Sequence, residues 1–360
     1  MTRRDVVITG IGLVSSLGEG PEAHWAALNN GAKPVVDAAS FAPFPVHPLP
    51  ALSLDAQIPK KGDQRQMEPW QRLGTYAAGL AIDHAGARGL VSDMHLVVAA
   101  GGGERDVAVD EAVTAALTSA APEASGALLN EKLATELRPT LFLAQLSNLL
   151  AGNISIVHGV TGSSRTLMGE EEAAADAIRI AAARLAEGRG EIALVGGAFA
   201  SQRWDMVLLY APGGVLWQGD YAPISARGDA GGLMLGAMAA FLVLETAEHA
   251  QARGAKALAR IGAIASDAAH QRAGGGSATA AAALWQGMAP ASTAGLGVIS
   301  GMTGVAEARV EEEAFLATLG SVPLRRSGSV LGHGVEASFP ANVALAALAL
   351  SQNGFYPAMD

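Results

Sequence analysis

The chain has 360 residues, of which 50% are hydrophobic and 16% are charged. This composition provides enough apolar side chains for a large buried core and excludes an intrinsically disordered protein. Acidic residues outnumber basic ones by 34 to 24, and the formal net charge of −10 argues against binding to nucleic acid, which requires neutralisation of phosphates. The sequence contains no cysteine, which excludes disulfides, zinc–thiolate sites and thiol nucleophiles.

Short apolar runs alternate with alanine-rich stretches along the chain, a pattern typical of an α/β fold. In chain order, the predicted elements are a strand at Val6–Ile11, helices at Glu22–Leu28 and Trp70–Ala87, strands at His95–Ala100 and Asn153–Val157, a helix at Glu170–Ala186, strands at Glu191–Val195 and Ala239–Leu244, a helix at Glu248–Arg253, strands at Leu258–Ile264 and Val298–Ile299, and helices at Glu307–Leu319 and Pro340–Leu350. Because the apolar runs are continuous rather than alternating, we expect strands that are covered on both faces.

The remaining patterns argue against several other kinds of site. Gly101–Gly103 follows a predicted strand but lacks the Lys-Ser/Thr ending of a phosphate-binding loop. The eight histidines are scattered, so we propose no metal and no cofactor. Residues Ala273–Ser277 are predicted to form a surface loop. Neither a signal peptide nor an apolar run of membrane-spanning length is present, so we expect no membrane span and a cytoplasmic protein.

Several segments, in their order and spacing, resemble the β-ketoacyl synthase family. They are Val7–Gly18, Ala193–Ala198, Phe241–Ala255 and the pair Gly332-His333. The resemblance extends over almost the whole chain and implies the thiolase fold, a five-layer α-β-α-β-α sandwich of two pseudo-repeated halves, residues 1–250 and 251–360. The family normally continues past Tyr356 with two more strands and a glycine-rich loop, so we expect the second half to be short of its last strands.

Condensing members of this family use a Cys nucleophile at a helix N-terminus, two His that promote decarboxylation of malonyl groups, and a Lys that supports one of them. By the resemblance, the nucleophile position falls on Glu171, counted back without a gap from Gly196-Gly197. The first His position falls near Ser300, with no His there, and the Lys position falls on Gly328. His333 is retained as the second His, so one catalytic position of the four matches the family.

Two interpretations remain open for each of the two ionisable residues. Glu171 could occupy the old nucleophile pocket or act as a general base, although a row of acidic residues at Glu170–Glu172 is also favourable at a helix start for electrostatic reasons alone. A carboxylate is a poor nucleophile towards a thioester, which argues against condensation through Glu171. His333 could be catalytic or could be a structural histidine in a tight turn.

These departures resemble those of the chain-length-factor type of ketosynthase relative. The resemblance implies a pseudoenzyme that forms a heterodimer with a catalytic ketosynthase subunit, works on chains held by an acyl carrier protein, and belongs to type II fatty acid, polyketide or aryl polyene biosynthesis. The dimer is expected to form through the strand at Asn153–Val157, with Val157, Leu167 and Met168 lining an acyl pocket near the interface. The alternatives are a malonyl- or acyl-thioester decarboxylase or hydrolase that uses His333 and Glu171, and a homodimeric acyl-binding protein.

Overall fold

A computed structural model describes residues 3–103, 105–139, 141–267, 276–288 and 295–360. The strands in these residues are β1 Val6–Ser15, β2 Gly18–Glu19, β3 His95–Ala99, β4 Ser164–Leu167, β5 Ile192–Phe199, β6 Met238–Thr246, β7 Ala259–Ile261, β8 Val298–Ser300 and β9 Leu324–Arg326. The α-helices are α1 Pro21–Asn29, α2 Lys61–Gln66, α3 Pro69–His84, α4 Val107–Ser119, α5 Pro122–Glu136, α6 Leu141–Ala144, α7 Leu149–His158, α8 Glu170–Ala186, α9 Trp204–Tyr210, α10 Ala247–Ala252, α11 Gly276–Met288, α12 Ala306–Ala317, α13 Gly328–Leu331 and α14 Ser338–Ser351.

Seven strands form one mixed sheet in the order β2-β1-β6-β5-β3-β4, with β7 also paired to β1. Strand β3 runs parallel to β4 and β5, whereas β6 runs antiparallel to β5 and β1. Every residue of β1, β5 and β6 is buried. This burial agrees with the continuous apolar runs in the sequence, which are typical of strands covered on both faces.

Helices cover both faces of this sheet and create two cores. Phe241 and Val243 of β6 pack into one core with residues of α3 and α7. Leu242 and Leu244, which point to the opposite face because side chains alternate along a strand, pack into the other core with residues of α8 and α14. Because the side chains on both faces of β6 are apolar, helices pack on both faces of the sheet.

A second sheet contains the parallel pair β8 and β9, and α14 contacts both β8 and strands of the large sheet. Helices α11 and α12 pack against each other. The predicted α/β class is confirmed by this arrangement. The division into halves at residues 250 and 251 stays a prediction.

Three predicted local elements differ from the structure or lie partly outside the described residues. The strand expected at Asn153–Val157 is wrong, because these residues lie in helix α7. The strand predicted at Glu191–Val195 extends through Gly196 and Gly197 to Phe199, and a Cβ at Gly196 would approach the carbonyl oxygen of Ala240 to 2.1 Å. Of the predicted loop at Ala273–Ser277, residues 273–275 lie outside the described residues, and the remaining two begin α11.

Candidate functional site

The chain turns sharply between β4 and α8, and this turn places Glu171 in the first turn of the helix. Gly169, directly before α8, has a φ of 140°, and Glu170 has a φ of 54°. Positive φ is uncommon for a residue with a side chain, and such strained positions often occur at functional sites. The positive end of the helix dipole favours a carboxylate at Glu171.

Backbone hydrogen bonds fix the position of His333. Its N–H donates to the carbonyl oxygen of Met234 over 2.7 Å, and its own carbonyl accepts from the N–H of Gly236 over 2.9 Å. Gly332 precedes it with a φ of 72°, and a Cβ there would approach Cδ2 of His47 to 2.7 Å. A glycine is therefore required at position 332 for His333 to keep this place.

The side chains of Glu171 and His333 meet, with 2.6 Å between Oε1 of Glu171 and Nε2 of His333. The His333 side chain is 6% exposed and that of Glu171 is 50% exposed. The hydrogen bond from His333 lowers the pKa of Glu171 and outweighs the opposing effect of burial. An ionised carboxylate can only accept hydrogen bonds, so Nε2 carries the proton and is committed to Glu171.

A third ionisable residue, Glu336, was missed by the sequence analysis. It is 5% exposed and lies in a short 3-10 helix, Val335–Ala337, that packs against α8, β5 and α14. Val335 directly before it has a φ of 42°, which is strained for a β-branched residue. Burial raises the pKa of Glu336 to about 7, and the negative charges of Glu171 and Glu170 add to this effect. A glutamate within the otherwise apolar triplet Val335–Ala337 was the signal in the sequence.

Glu336 lines a cavity of about 390 Å³ at the ends of β3 and β5. The walls are mainly apolar and aromatic, and they include Trp70, Met168, Phe199, Met206, Leu209 and Tyr210. Glu170 also lines the cavity, as do Arg105, Arg203 and Asp205. Arg203 and Asp205 form an ion pair whose side chains are each 10% exposed. The site therefore joins a hydrophobic chamber to a small group of carboxyl groups.

The structure places Ser300 and Gly328 together, around Met302. Ser300 is buried, and its hydroxyl donates to a carboxyl oxygen of Glu312 and accepts from the N–H of Met302. A Cβ at Gly328 would approach the carbonyl oxygen of Met302 to 2.7 Å and Cδ1 of Ile224 to 3.0 Å. The position expected to hold the family's Lys therefore has no room for a side chain without a shift of the backbone.

The three residues expected at an acyl pocket or interface have different surroundings. Met168 lines the cavity and is 65% exposed. Leu167 packs against the buried cluster of Ala99, Ala173 and Ala174, and Val157 packs against the core formed by residues of α3 and α7. Strand β4, Ser164–Leu167, forms the edge of the large sheet. It begins eleven residues after Asn153, where the interface strand was predicted to begin.

The described residues, 3–103, 105–139, 141–267, 276–288 and 295–360, offer neither a metal site nor a membrane-spanning helix. Within those ranges, no three His, Cys, Asp or Glu side chains are grouped so that they could hold a metal ion. None of the helices found there has both the length and the apolar character needed to cross a bilayer.

Residues 3–250 match the family model for the β-ketoacyl synthase N-terminal domain, so the chain belongs to the β-ketoacyl synthase family. It is 30% identical over 271 residues to 3-oxoacyl-[acyl-carrier-protein] synthase 2 of Vibrio harveyi, covering 72% of this chain and 62% of that protein. It is also 30% identical over 265 residues to the tetracenomycin polyketide synthase ketoacyl synthase beta subunit of Streptomyces glaucescens, covering 69% and 60%. The chain thus spans about three fifths of the length of these relatives.

Solved structures of ketosynthases share the fold. The ishigamide ketosynthase/chain length factor superposes with a TM-score of 0.77 at 22% identity, covering 97% of this chain and 87% of that one. A β-ketoacyl synthase from Burkholderia phymatum STM815 superposes with a TM-score of 0.78 at 24% identity, covering 100% and 88%. These superpositions confirm the predicted thiolase-like α/β fold.

Proposed function

We propose that this chain is a non-condensing β-ketoacyl synthase homologue that acts as the chain-length-factor-type subunit of a ketosynthase heterodimer in type II fatty acid, polyketide or aryl polyene biosynthesis. The observation that carries this proposal is the pair of Glu171 and His333, with 2.6 Å between Oε1 and Nε2. The residue at the nucleophile position and the retained histidine bind each other, so neither is available for condensation.

The chemistry of the replacement supports the same conclusion. Acyl transfer to Glu171 would form an anhydride, which is more reactive than the thioester it came from, so the carboxylate cannot store an acyl group as a thiol does. In addition, Ser300 is engaged by Glu312, and Gly328 has no space for a longer side chain. Four positions of the expected catalytic set therefore favour a subunit that shapes a cavity over one that forms bonds.

The surface near β4 supports a protein partner. Strand β4 is an edge strand, and an unprotected edge readily pairs with another strand. Helix α7 contacts β4, and Ile156 in this helix is 72% exposed. Exposed apolar side chains beside an open sheet edge are typical of an interface. The partner we propose is a Cys-containing ketosynthase, since one solved structure with this fold is a ketosynthase/chain length factor.

The cavity supports binding of an acyl chain. Its apolar and aromatic walls suit a hydrocarbon chain, and the flexible side chains of Met168 and Met206 can adapt to chains of different shape. The solved complex AntDE:AntF, a match to this fold, is a type II PKS acyl-carrier protein in complex with its ketosynthase. We therefore propose that an acyl carrier protein delivers the chain to the heterodimer.

Co-expression with a Cys-containing ketosynthase from the same gene neighbourhood tests the proposal. We expect a mixed dimer on a sizing column at micromolar concentration, and we expect the chain alone to form no elongated product from acyl- and malonyl-carrier protein. Ile156→Asp should weaken the mixed dimer, whereas Val310→Asp on α12, also at an exposed apolar residue, should not. Separate elution of the two unmodified proteins would contradict the proposal.

A second candidate is a decarboxylase or hydrolase of malonyl or acyl thioesters, favoured by the contact between Glu171 and His333 and by the cavity-lining position of Glu170, the neighbour of Glu171. Mass spectrometry of malonyl-carrier protein incubated with the chain tests it. Conversion that is lost in His333→Ala would support this function, and no conversion above background would exclude it. A homodimer that co-purifies with a lipid in the absence of a ketosynthase would instead indicate an acyl-binding protein.

A further inference from the structure

Glu336 has a carboxyl group at the inner wall of the cavity. Its Oε1 lies over Gly101 at the end of β3, where a Cβ on Gly101 would approach it to 2.5 Å. Gly101 and Glu336 both line the cavity, so the carboxyl group faces the space between the apolar walls. A bulkier residue at position 101 would occupy the place of this carboxyl group.

Among the described residues, no other side chain or backbone group forms a hydrogen bond with the Glu336 carboxyl. The hydrogen bond that the carboxyl does form comes from its own backbone N–H, and the residue is 5% exposed. Buried polar groups are nearly always hydrogen-bonded. A buried carboxyl group at a cavity wall that is bonded only to its own backbone N–H is therefore placed to bind a polar atom of a ligand.

The charged groups around Glu336 favour its protonated form. Glu170 and Glu171 of α8 face it with negative charge, while His333 acts in the opposite direction but is already committed to Glu171. Tyr210 of α9 lies close enough that Glu336 contributes to raising its pKa. Arg105, Arg203 and Asp205 line the same cavity, with Arg203 paired to Asp205. Below about pH 7, Glu336 is thus a neutral hydrogen-bond donor rather than a counter-ion.

We propose that the protonated carboxyl of Glu336 donates a hydrogen bond to a keto oxygen of a bound acyl chain, so that this cavity prefers 3-oxoacyl chains over saturated chains of the same length. The proposal rests on the acyl-binding role given above and names the substrate class of the same cavity. A saturated chain would cover the carboxyl group without offering an acceptor, and an unsatisfied buried donor weakens binding.

Binding of two matched probes tests this proposal. The probes are the N-acetylcysteamine thioesters of octanoate and 3-oxooctanoate, titrated into the full chain at pH 6 and pH 8.5. We compare the ratio of their dissociation constants in the wild type with that in Glu336→Leu, which serves as the reference for the intrinsic difference between the probes. At pH 6, we expect the wild type to favour the 3-oxo probe by about three- to tenfold more than this variant does.

The dependence on pH distinguishes a donor from a merely structural role. In the wild type the preference should disappear at pH 8.5, where Glu336 is ionised. In Glu336→Gln, which keeps an N–H donor, the preference should persist at both pH values. Equal ratios in the wild type and Glu336→Leu at pH 6, or a wild-type preference unchanged at pH 8.5, would overturn this inference and leave the acyl cavity standing. If neither probe bound, both the inference and the acyl-binding role would fail.

Discussion

The imidazole of His333 donates a hydrogen bond from Nε2 to the carboxylate of Glu171, a residue 162 positions earlier in the sequence. The bond joins the first turn of α8 to the segment after α13. A group that replaces Glu171 would inherit both the helix N-terminus and the neighbouring imidazole. Substitution of Glu171 therefore tests whether the helix N-terminus and the imidazole can still activate a nucleophile at this position.

We predict that Glu171→Cys produces a reactive thiol but no condensing enzyme. A helix N-terminus and an adjacent His both lower the pKa of a thiol, so alkylation by iodoacetamide at pH 6 should be about tenfold faster than that of Val310→Cys on the surface. Because Ser300 and Gly328 stand where the proposed correspondence expects the His and Lys, carrier-protein assays should show no elongated product. Elongation by this variant alone would contradict the proposed role of those two positions.

We predict that the protein loses stability in mild acid because three histidines are buried in their neutral form. Burial lowers the pKa of His24, His47 and His158 to about 4 in each case. Their ordinary value is 6.5, so the stabilisation is complete above pH 6.5 and is lost as the pH falls towards 4. Each residue contributes at most about 3 kcal/mol.

Urea unfolding between pH 7 and pH 4 measures this effect. His158→Gln should reduce the slope of unfolding free energy against pH, because Nε2 of His158 bonds to the carbonyl oxygen of Thr75 and Nδ1 faces Arg88, which disfavours a second proton. Glu336 acts in the opposite sense: its raised pKa makes its contribution complete below pH 4.5 and lost as the pH rises through about 7. A stability that does not change between pH 7 and pH 4 would contradict the prediction.

We predict a large loss of stability from Arg253→Ala. The side chain of Glu245 is fully buried and accepts hydrogen bonds from Arg253 over 2.6 and 2.8 Å, from His249 over 2.7 Å, and from Thr9. Removal of Arg253 leaves a buried carboxylate without its main partner, at a cost of about 3–5 kcal/mol. Arg260→Ala, which breaks an exposed pair with Asp5, should leave the urea midpoint unchanged, and equal effects of the two variants would refute this assignment.

We predict that Gly328→Ala destabilises the protein by about 1–3 kcal/mol through overpacking. The new methyl group would meet the carbonyl oxygen of Met302 at 2.7 Å. Gly62→Ala in α2 is the matched control, because no atom lies within 4 Å of its Cβ position and alanine is favoured in a helix by about 0.5–1 kcal/mol. A neutral result for Gly328→Ala in thermal unfolding would show that the position has room.

The most accurate predictions are those for elements in which the apolar pattern and the residues at the ends indicate the same boundaries. Helix α8 was predicted at Glu170–Ala186 and is found there. The failure at Asn153–Val157 arose because Ile154, Ile156 and Val157 are β-branched, whereas packing against α3 determines the outcome. The buried residues Leu150, Ile154 and His158 lie on one helical face, and Gly159 ends α7 in a left-handed conformation, so a helical signal was present in the spacing.

The residues of the candidate site also include some that could be assigned from the sequence and one that could not. Glu171 and His333 could be named in advance because a resemblance assigned their positions, and the distance between them is then a property of the fold. Glu336 could not be assigned a role from sequence, because its protonation depends on burial beside Glu170 and Glu171. Glu336 lies more than 160 positions after Glu170 and Glu171 in the sequence, and no local sequence pattern connects it to them.

The close approach of Met302 to Gly328 limits what a single substitution at position 328 can introduce. A Cβ there would lie 2.7 Å from the carbonyl oxygen of Met302, so the backbone leaves no space for a long basic side chain. One mutation alone cannot create that space, because the new side chain would collide with the Met302 carbonyl. Placing a lysine at position 328 would therefore require coordinated changes in the segments that carry Gly328 and Met302.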